Sequence, residues 1–334
     1  MTEKHLTTFC NLHCTECSHL HKMRLHPECQ TGCMDDTTLK QYIRQKIESW
    51  ETGDVHFSWQ DEELTSDGLI FLKRVIDLQL RFAQGKTIIN TLLISGITLD
   101  DGWCEFIKKN AFLICISVDG DSQQSDTFSK TISESPVANM IEVNVRLLHK
   151  HDIAFSTLTV LNNINSQQPL RIYHYLKSLG SRHMLFLPLL KPLEQGGVDA
   201  QSLAPAALGI FLKTIFYTWI RLDIGTIKIP IFEHAFAAWC GLSVPTCVYA
   251  SCDDSNPHFT AKLAKECTSC KIEFACRGGC AKDRIALSQS GEPQLNYFCE
   301  SYQAFFTYAE PYMLMMKALW EQNYAPSDIR KYLA

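Results

Sequence analysis

The sequence predicts an α/β fold: a parallel sheet covered by helices, followed by a cysteine-rich region. Three observations carry this expectation. Short apolar runs alternate with amphipathic segments six times between residues 5 and 189, the pattern of strand–helix units around a parallel sheet. The chain of 334 residues is 46% hydrophobic, enough for a large core that buries about three quarters of the unfolded surface. From residue 247 the composition shifts to loops dense in cysteine.

The elements follow in order. A short strand is expected at 5–9, then a helix at 36–49 with Asp35 or Asp36 as N-cap and Leu39, Tyr42, Ile43 and Ile47 at helical spacing. The strand 55–59 leads into a long helix, 68–83, which Gly85 stops. Strands 87–94, 112–118 and 154–161 are followed by helices at 100–109, 136–150 and 168–178, the last closed by Gly180. A sixth strand spans 183–189, and amphipathic stretches at 205–221 and 232–240 make residues 192–246 a helical bridge. The expected domains are therefore 1–191, 192–246 and 247–334.

A net charge of −5 and an isoelectric point near 6.2 argue against nucleic acid as a partner, which calls for a basic patch. No uncharged apolar run of about 18 residues occurs, so no membrane span is expected. The N-terminus is polar and lacks a signal peptide, which points to the cytoplasm. Fifteen cysteines in an unsecreted chain imply metal or redox chemistry rather than a disulfide framework.

The chemistry centres on Cys10, Cys14 and Cys17, a C-x3-C-x2-C triad. Three thiolates on one loop can hold three corners of an iron–sulfur cluster and leave one iron open to a small molecule. Zinc is the competing reading, with Cys29 and Cys33 as a downstream pair, although x3 followed by x2 fits zinc sites poorly. A second field reads Cys267-x2-Cys270-x5-Cys276-x3-Cys280, followed by Cys299. A four-cysteine zinc knuckle competes there as well. Cys104, Cys115 and Cys240 read as ordinary, the first two as buried small hydrophobes. The histidines show no metal-binding spacing.

The triad has the spacing of the radical S-adenosylmethionine enzymes. Blocks between 55 and 120 (VHFSWQDEEL, NTLLISG, LDDGWCEF, ISVDG), FSTLTVLNN at 155–163, LKSLGSRHMLFLPLL at 176–190, and CRGGCAKDR with LNYFCESY in 276–302 resemble the anaerobic sulfatase-maturating enzymes, in the family's order. The resemblance implies a partial (β/α)6 TIM-like barrel with a C-terminal cysteine-rich domain of the SPASM type. In such barrels chemistry sits at the carboxyl ends of the strands. The triad, Gln60–Leu64 and Asp119-Gly120 all follow expected strands.

By the same resemblance, Cys10, Cys14 and Cys17 carry a [4Fe–4S] cluster that binds S-adenosylmethionine. The family's Gly-Gly-Glu-Pro loop reads Asp61-Glu62-Glu63-Leu64 here, keeping Glu63, with Gln60 matching just before it. Ser117 and Asp119 match positions that contact the ribose and nearby groups, and Leu190 falls near an adenine-packing position. Glu16 replaces an aromatic residue, Leu93 a glutamine and Ser129 an arginine. Loss of that arginine removes a charge-assisted contact worth about 1.5–3 kcal/mol.

The resemblance further assigns Cys267, Cys270, Cys276 and Cys299 to one auxiliary [4Fe–4S] cluster. Cys280 would serve a second with Cys247 and Cys252, where the family has three upstream cysteines and a longer hairpin. Val248–Asp253 resembles the last of those cysteines and the aspartate after it, the family's general base, so Asp253 is the candidate, with Asp254 adjacent.

The implied reaction is oxidation of a cysteine or serine of a sulfatase to formylglycine. A radical cleaved from S-adenosylmethionine would take a Cβ hydrogen, and the auxiliary clusters would accept the second electron. The implied partners are an unfolded or nascent sulfatase and an electron donor such as flavodoxin or ferredoxin. Two other readings stand beside it. One is a different SPASM peptide maturase; the other is a homologue that holds clusters or zinc without turnover.

Overall fold

The computed structural model describes residues 4–5, 12–14, 34–50, 53–61, 64–96, 98–121, 129–131, 137–193, 195–243 and 263–333. Its backbone packs as two units, Thr2–Leu158 and Thr159–Ala334.

The first unit contains β1 (Lys4–His5), β2 (Leu12–Cys14), α1 (Asp36–Ser49), β3 (Val55–Asp61), α2 (Ser66–Phe82), β4 (Ile88–Ile94), α3 (Asp101–Lys109), β5 (Leu113–Ser117), β6 (Ser129–Thr131) and α4 (Val137–Lys150). A further strand, β7 (Phe155–Leu161), runs across the division. Strands β1, β3, β4, β5 and β7 are parallel neighbours in that order. This is the parallel sheet of strand–helix units expected from the alternation of apolar runs.

Register aligns the core. Trp59 pairs with Leu92 and Leu92 with Ile114, and all three are buried. Burial alternates along β7 and the second half of β4, as a period of two requires. On β3, Phe57 and Trp59 share a face and stack at 5.9 Å. Tyr42 of α1 and Phe71 of α2 meet Trp59 edge-on, at 6.2 and 6.0 Å, a favoured aromatic arrangement.

Helix starts are set by short polar side chains. The Asp35 carboxylate accepts the Thr37 and Thr38 N–H groups, and Asp100 accepts that of Trp103. The second helix begins at Ser66, two residues before Gly68, because the Thr65 hydroxyl caps it by accepting the Gly68 N–H at 3.1 Å.

One buried polar cluster ties α2 to the sheet. Trp59 Nε1 and Gln79 Nε2 both donate to Asn90 Oδ1, at 2.8 and 2.9 Å, while Asn90 Nδ2 donates to Gln79 Oε1 at 2.8 Å. The loop chemistry of the sequence did not suggest a second, two-stranded sheet, in which β2 and β6 pair antiparallel with Cys14 opposite Ser129.

The second unit contains α5 (Pro169–Ser178), β8 (Met184–Pro188), α6 (Pro205–Leu222) and α7 (Pro230–Trp239). It continues through single helical turns at Lys265–Thr268 and Glu273–Cys276 into α8 (Cys299–Glu321). β8 is the neighbour of β7 in the sheet order, and the Leu189 N–H donates to the Leu161 carbonyl at 2.8 Å. Proline at the first position starts α5, α6 and α7, where its missing N–H costs nothing. For α7 this sets the start at 230 rather than the expected 232. Phe216 of α6, Phe232 of α7 and Phe305 of α8 meet with centroids 5.1–5.7 Å apart and form the core between these helices.

Asn90→Leu strands the Trp59 N–H and the Gln79 amide in a dry core. Urea unfolding should show a loss of about 1–3 kcal/mol for each group left unpaired. The double change Gln79→Leu with Asn90→Leu should cost less than the sum of the single changes.

Candidate metal centre and cofactor rim

The sheet orders several expected cofactor residues at the carboxyl ends of its strands. Gln60, half-buried near the end of β3, is level with Leu93 on β4, which pairs with Cys115 on β5. Ser117 closes β5, two strands from Gln60 and hence about 10 Å across the sheet. Asp119 lies two residues beyond it, half-buried, after the Val118 N–H has bonded the Leu158 carbonyl at 2.8 Å. Leu190, in the second unit, lies two residues past β8 and is half-buried.

Of the triad, Cys14 ends β2, whereas Cys10 and Cys17 lie outside the described residues, as do Glu63, Cys247, Cys252 and Asp253. The pairing of β2 with β6 puts position 129 directly across from Cys14. Ser129, the residue expected to replace an arginine, is therefore paired in the backbone with Cys14.

The C-terminal cysteines come together. Cys267, Cys270, Cys276 and Cys299 line one cavity. Cys267 comes from the first helical turn and Cys276 ends the second. Cys270 lies between them, its N–H bonded to the Cys267 carbonyl at 3.1 Å. Cys299 opens α8. The second turn is anchored on α7 where Phe274 meets Trp239 edge-on at 4.7 Å. Cys280 is buried but is not part of the cavity lining.

Electrostatics in this cavity oppose ionisation of Cys267, Cys276 and Cys299. Burial, then neighbouring Cys299, pushes the Cys276 thiol up to about 12. Burial, then the other thiols, also raises Cys267 and Cys299. A Gly278 N–H directed at Cys276 and the positive charge of Arg284 near Cys267 act the other way. A cationic occupant would offset these shifts and favour the three thiolates.

Four cysteine thiols around one cavity are a donor set that fits a [4Fe–4S] cluster, and a four-cysteine zinc site as well.

The loop Arg277–Cys280 gives the cavity its shape, and sequence reasoning missed the residues that hold it. Arg277, Gly278 and Gly279 all take positive φ, at 49°, 74° and 61°. Asn296 Nδ2 donates to the carbonyls of Gly278 and Cys280, at 3.3 and 3.0 Å, and its Oδ1 accepts the Phe298 N–H. Arg284, only 6% exposed, donates to the carbonyls of Arg277, Gly278 and Gly279. Asp283, 1% exposed, pairs with Lys282 at 2.7 Å, and burial pushes its carboxyl up to about 6. The available signal was a run of charged residues directly after Cys280, an unusual place for residues that fold inward.

The α/β fold with its parallel half-barrel sheet matches the fold of radical S-adenosylmethionine enzymes. No family model matches the chain. Its fold matches native anSMEcpe with bound AdoMet and Kp18Cys peptide, with a TM-score of 0.80 at 25% identity, covering 94% of this chain and 98% of that one. At 12% identity, Streptococcus suis SuiB bound to S-adenosylmethionine shares the fold more loosely, with a TM-score of 0.52.

The homologues of this chain are anaerobic sulfatase-maturating enzymes. The serine-type enzyme of Bacteroides thetaiotaomicron is 29% identical, over 97% of this chain and 92% of its own length. The cysteine-type enzyme of Clostridium perfringens is 26% identical, over 91% and 94%. The alignment with the former spans 382 positions against the 334 residues of this chain, so gaps fall within it.

Gly279→Ala tests the loop. Its Cβ would lie 2.6 Å from Asn296 Nδ2 and 3.0 Å from Tyr302, at a φ that disfavours a side chain. Thermal unfolding should show a loss about 1–3 kcal/mol greater than for Gly291→Ala, which meets open space at a similar φ.

Proposed function

We propose that the chain is a radical S-adenosylmethionine oxidoreductase that converts a cysteine or serine of a sulfatase to formylglycine. The observation that carries this reading is likeness over nearly the whole length to maturases of both the serine and the cysteine type. The four-thiol cavity supports it, because a peptide oxidation of two electrons needs a store for the second.

In this reading Cys10, Cys14 and Cys17 hold the cluster that binds S-adenosylmethionine. Gln60, Glu63, Ser117, Asp119 and Leu190 bind and orient that cofactor, Asp119 through the ribose hydroxyls. Cys267, Cys270, Cys276 and Cys299 hold one auxiliary [4Fe–4S] cluster, and Cys280 serves a second with Cys247 and Cys252. The clusters and S-adenosylmethionine supply the hydrogen-abstracting and electron-accepting chemistry. Asp253 takes the proton from the substrate thiol or hydroxyl, a role open to a carboxylate that is ionised at neutral pH. The polypeptide substrate is an unfolded or nascent sulfatase met in the cytoplasm, and flavodoxin or ferredoxin supplies electrons. Among the described residues, no helix is long and apolar enough to cross a membrane, and the net charge of −5 disfavours nucleic acid.

The test is anaerobic reconstitution with iron and sulfide, then reduction with S-adenosylmethionine and a sulfatase peptide. Deoxyadenosine and formylglycine should both form. Asp253→Asn should slow peptide oxidation by about 10²–10⁴-fold while deoxyadenosine is still released.

A second reading, a chain that holds clusters without turnover, is favoured by Ser129. That residue lies across from Cys14 where the family carries arginine. No deoxyadenosine under any condition would establish it. Ser129→Arg should tighten S-adenosylmethionine binding about 10–100-fold in equilibrium dialysis.

A further inference from the structure

Arg284 is a buried cation one residue behind the cavity wall. Its hydrogen bonds among the described residues all go to main-chain carbonyls: Nε to Gly278 at 3.1 Å, and Nη2 to Arg277 and Gly279 at 3.2 and 3.1 Å. A Cβ built on Gly278 would stand 3.4 Å from Arg284 Nε and Nη2, and Gly278 itself lines the cavity. Carbonyl partners leave the guanidinium its full charge, so the fork delivers both geometry and a positive field.

The direction of those bonds matters. In a trans peptide, the carbonyl of one residue and the N–H of the next point opposite ways. Drawing the Arg277 carbonyl back to Arg284 therefore turns the Gly278 N–H toward the cavity, where it donates to Cys276. The Gly279 N–H in turn closes on the Cys276 carbonyl at 2.8 Å. One side chain thus fixes the loop between two cysteines. Asn296 holds the same loop through the carbonyls of Gly278 and Cys280.

We propose that Arg284 is a positioning residue for the cluster held by Cys267, Cys270, Cys276 and Cys299, and that it raises both the retention and the reduction potential of that cluster. The inference rests on the assignment of those four cysteines to a cluster. Hydrogen bonds to ligand sulfurs and nearby charge are the protein's means of tuning such centres. Adding an electron increases negative charge, so a fixed cation and an N–H aimed at sulfur favour the reduced form.

The test uses the full chain carrying Cys10→Ala, Cys14→Ala and Cys17→Ala, reconstituted anaerobically with iron and sulfide. The electron-paramagnetic signal that Cys276→Ser abolishes is that of the cavity. In Arg284→Gln the signal should titrate at lower potential, and its iron should be lost at a chelator concentration about 10–100-fold lower. Arg284→Lys keeps the charge but cannot span three carbonyls. It should hold the potential near that of the parent while losing iron more readily.

Iron content, potential and chelation equal to the parent in both variants would overturn the role of Arg284 and leave the four-cysteine assignment standing. A parent that takes up no iron would overturn that assignment and this inference with it. If circular dichroism shows Arg284→Gln misfolded, the lysine variant decides between the same outcomes.

Discussion

Buried thiols that share one cavity resist ionising together. Burial and the neighbouring thiols raise Cys276 most, and Cys267 and Cys299 with it. The surrounding loop is built to relieve this repulsion. Three consecutive residues in left-handed conformation let the chain double back, so that carbonyls of the loop face Arg284 and Asn296. Folding of the second unit and the charge of its occupant are thereby one problem.

The parallel sheet solves a different problem, that of alignment. Because β3, β4 and β5 run parallel in unbroken register, the residues after each strand emerge at one edge of the first unit. Gln60, Ser117 and Asp119 gain their relation from the pairing, since they share no sequence neighbourhood. The β2–β6 ribbon adds a second alignment, which pairs the backbone at Cys14 with Ser129, more than a hundred residues later.

Much of the fold was legible, and the reason is periodicity. Helix α1 follows from Asp35 and the spacing of Leu39, Ile43 and Ile47, all three of which are buried. Strands β4 and β7 follow from their apolar runs. Boundaries moved where capping overrode the pattern, as Thr65 did for α2 and Pro230 for α7. The ribbon was not legible, because three-residue strands carry too few side chains to show a period. At the cavity, the spacing of the cysteines pointed to four thiols that the structure brings to one cavity wall, whereas Arg284 and Asn296 act through backbone carbonyls. Such contacts leave no trace in a pattern of hydrophobic and polar residues.

Cys299 opens a helix of 23 residues whose place is fixed by aromatic contacts with α6 and α7. During synthesis, Cys267, Cys270 and Cys276 leave the ribosome well before that helix exists, so three donors face solvent while the fourth is still unmade. Completion of the four-thiol cavity is accordingly a late event in the life of the chain. It waits for the docking of a helix, and a nascent chain met too early offers any occupant only a partial site.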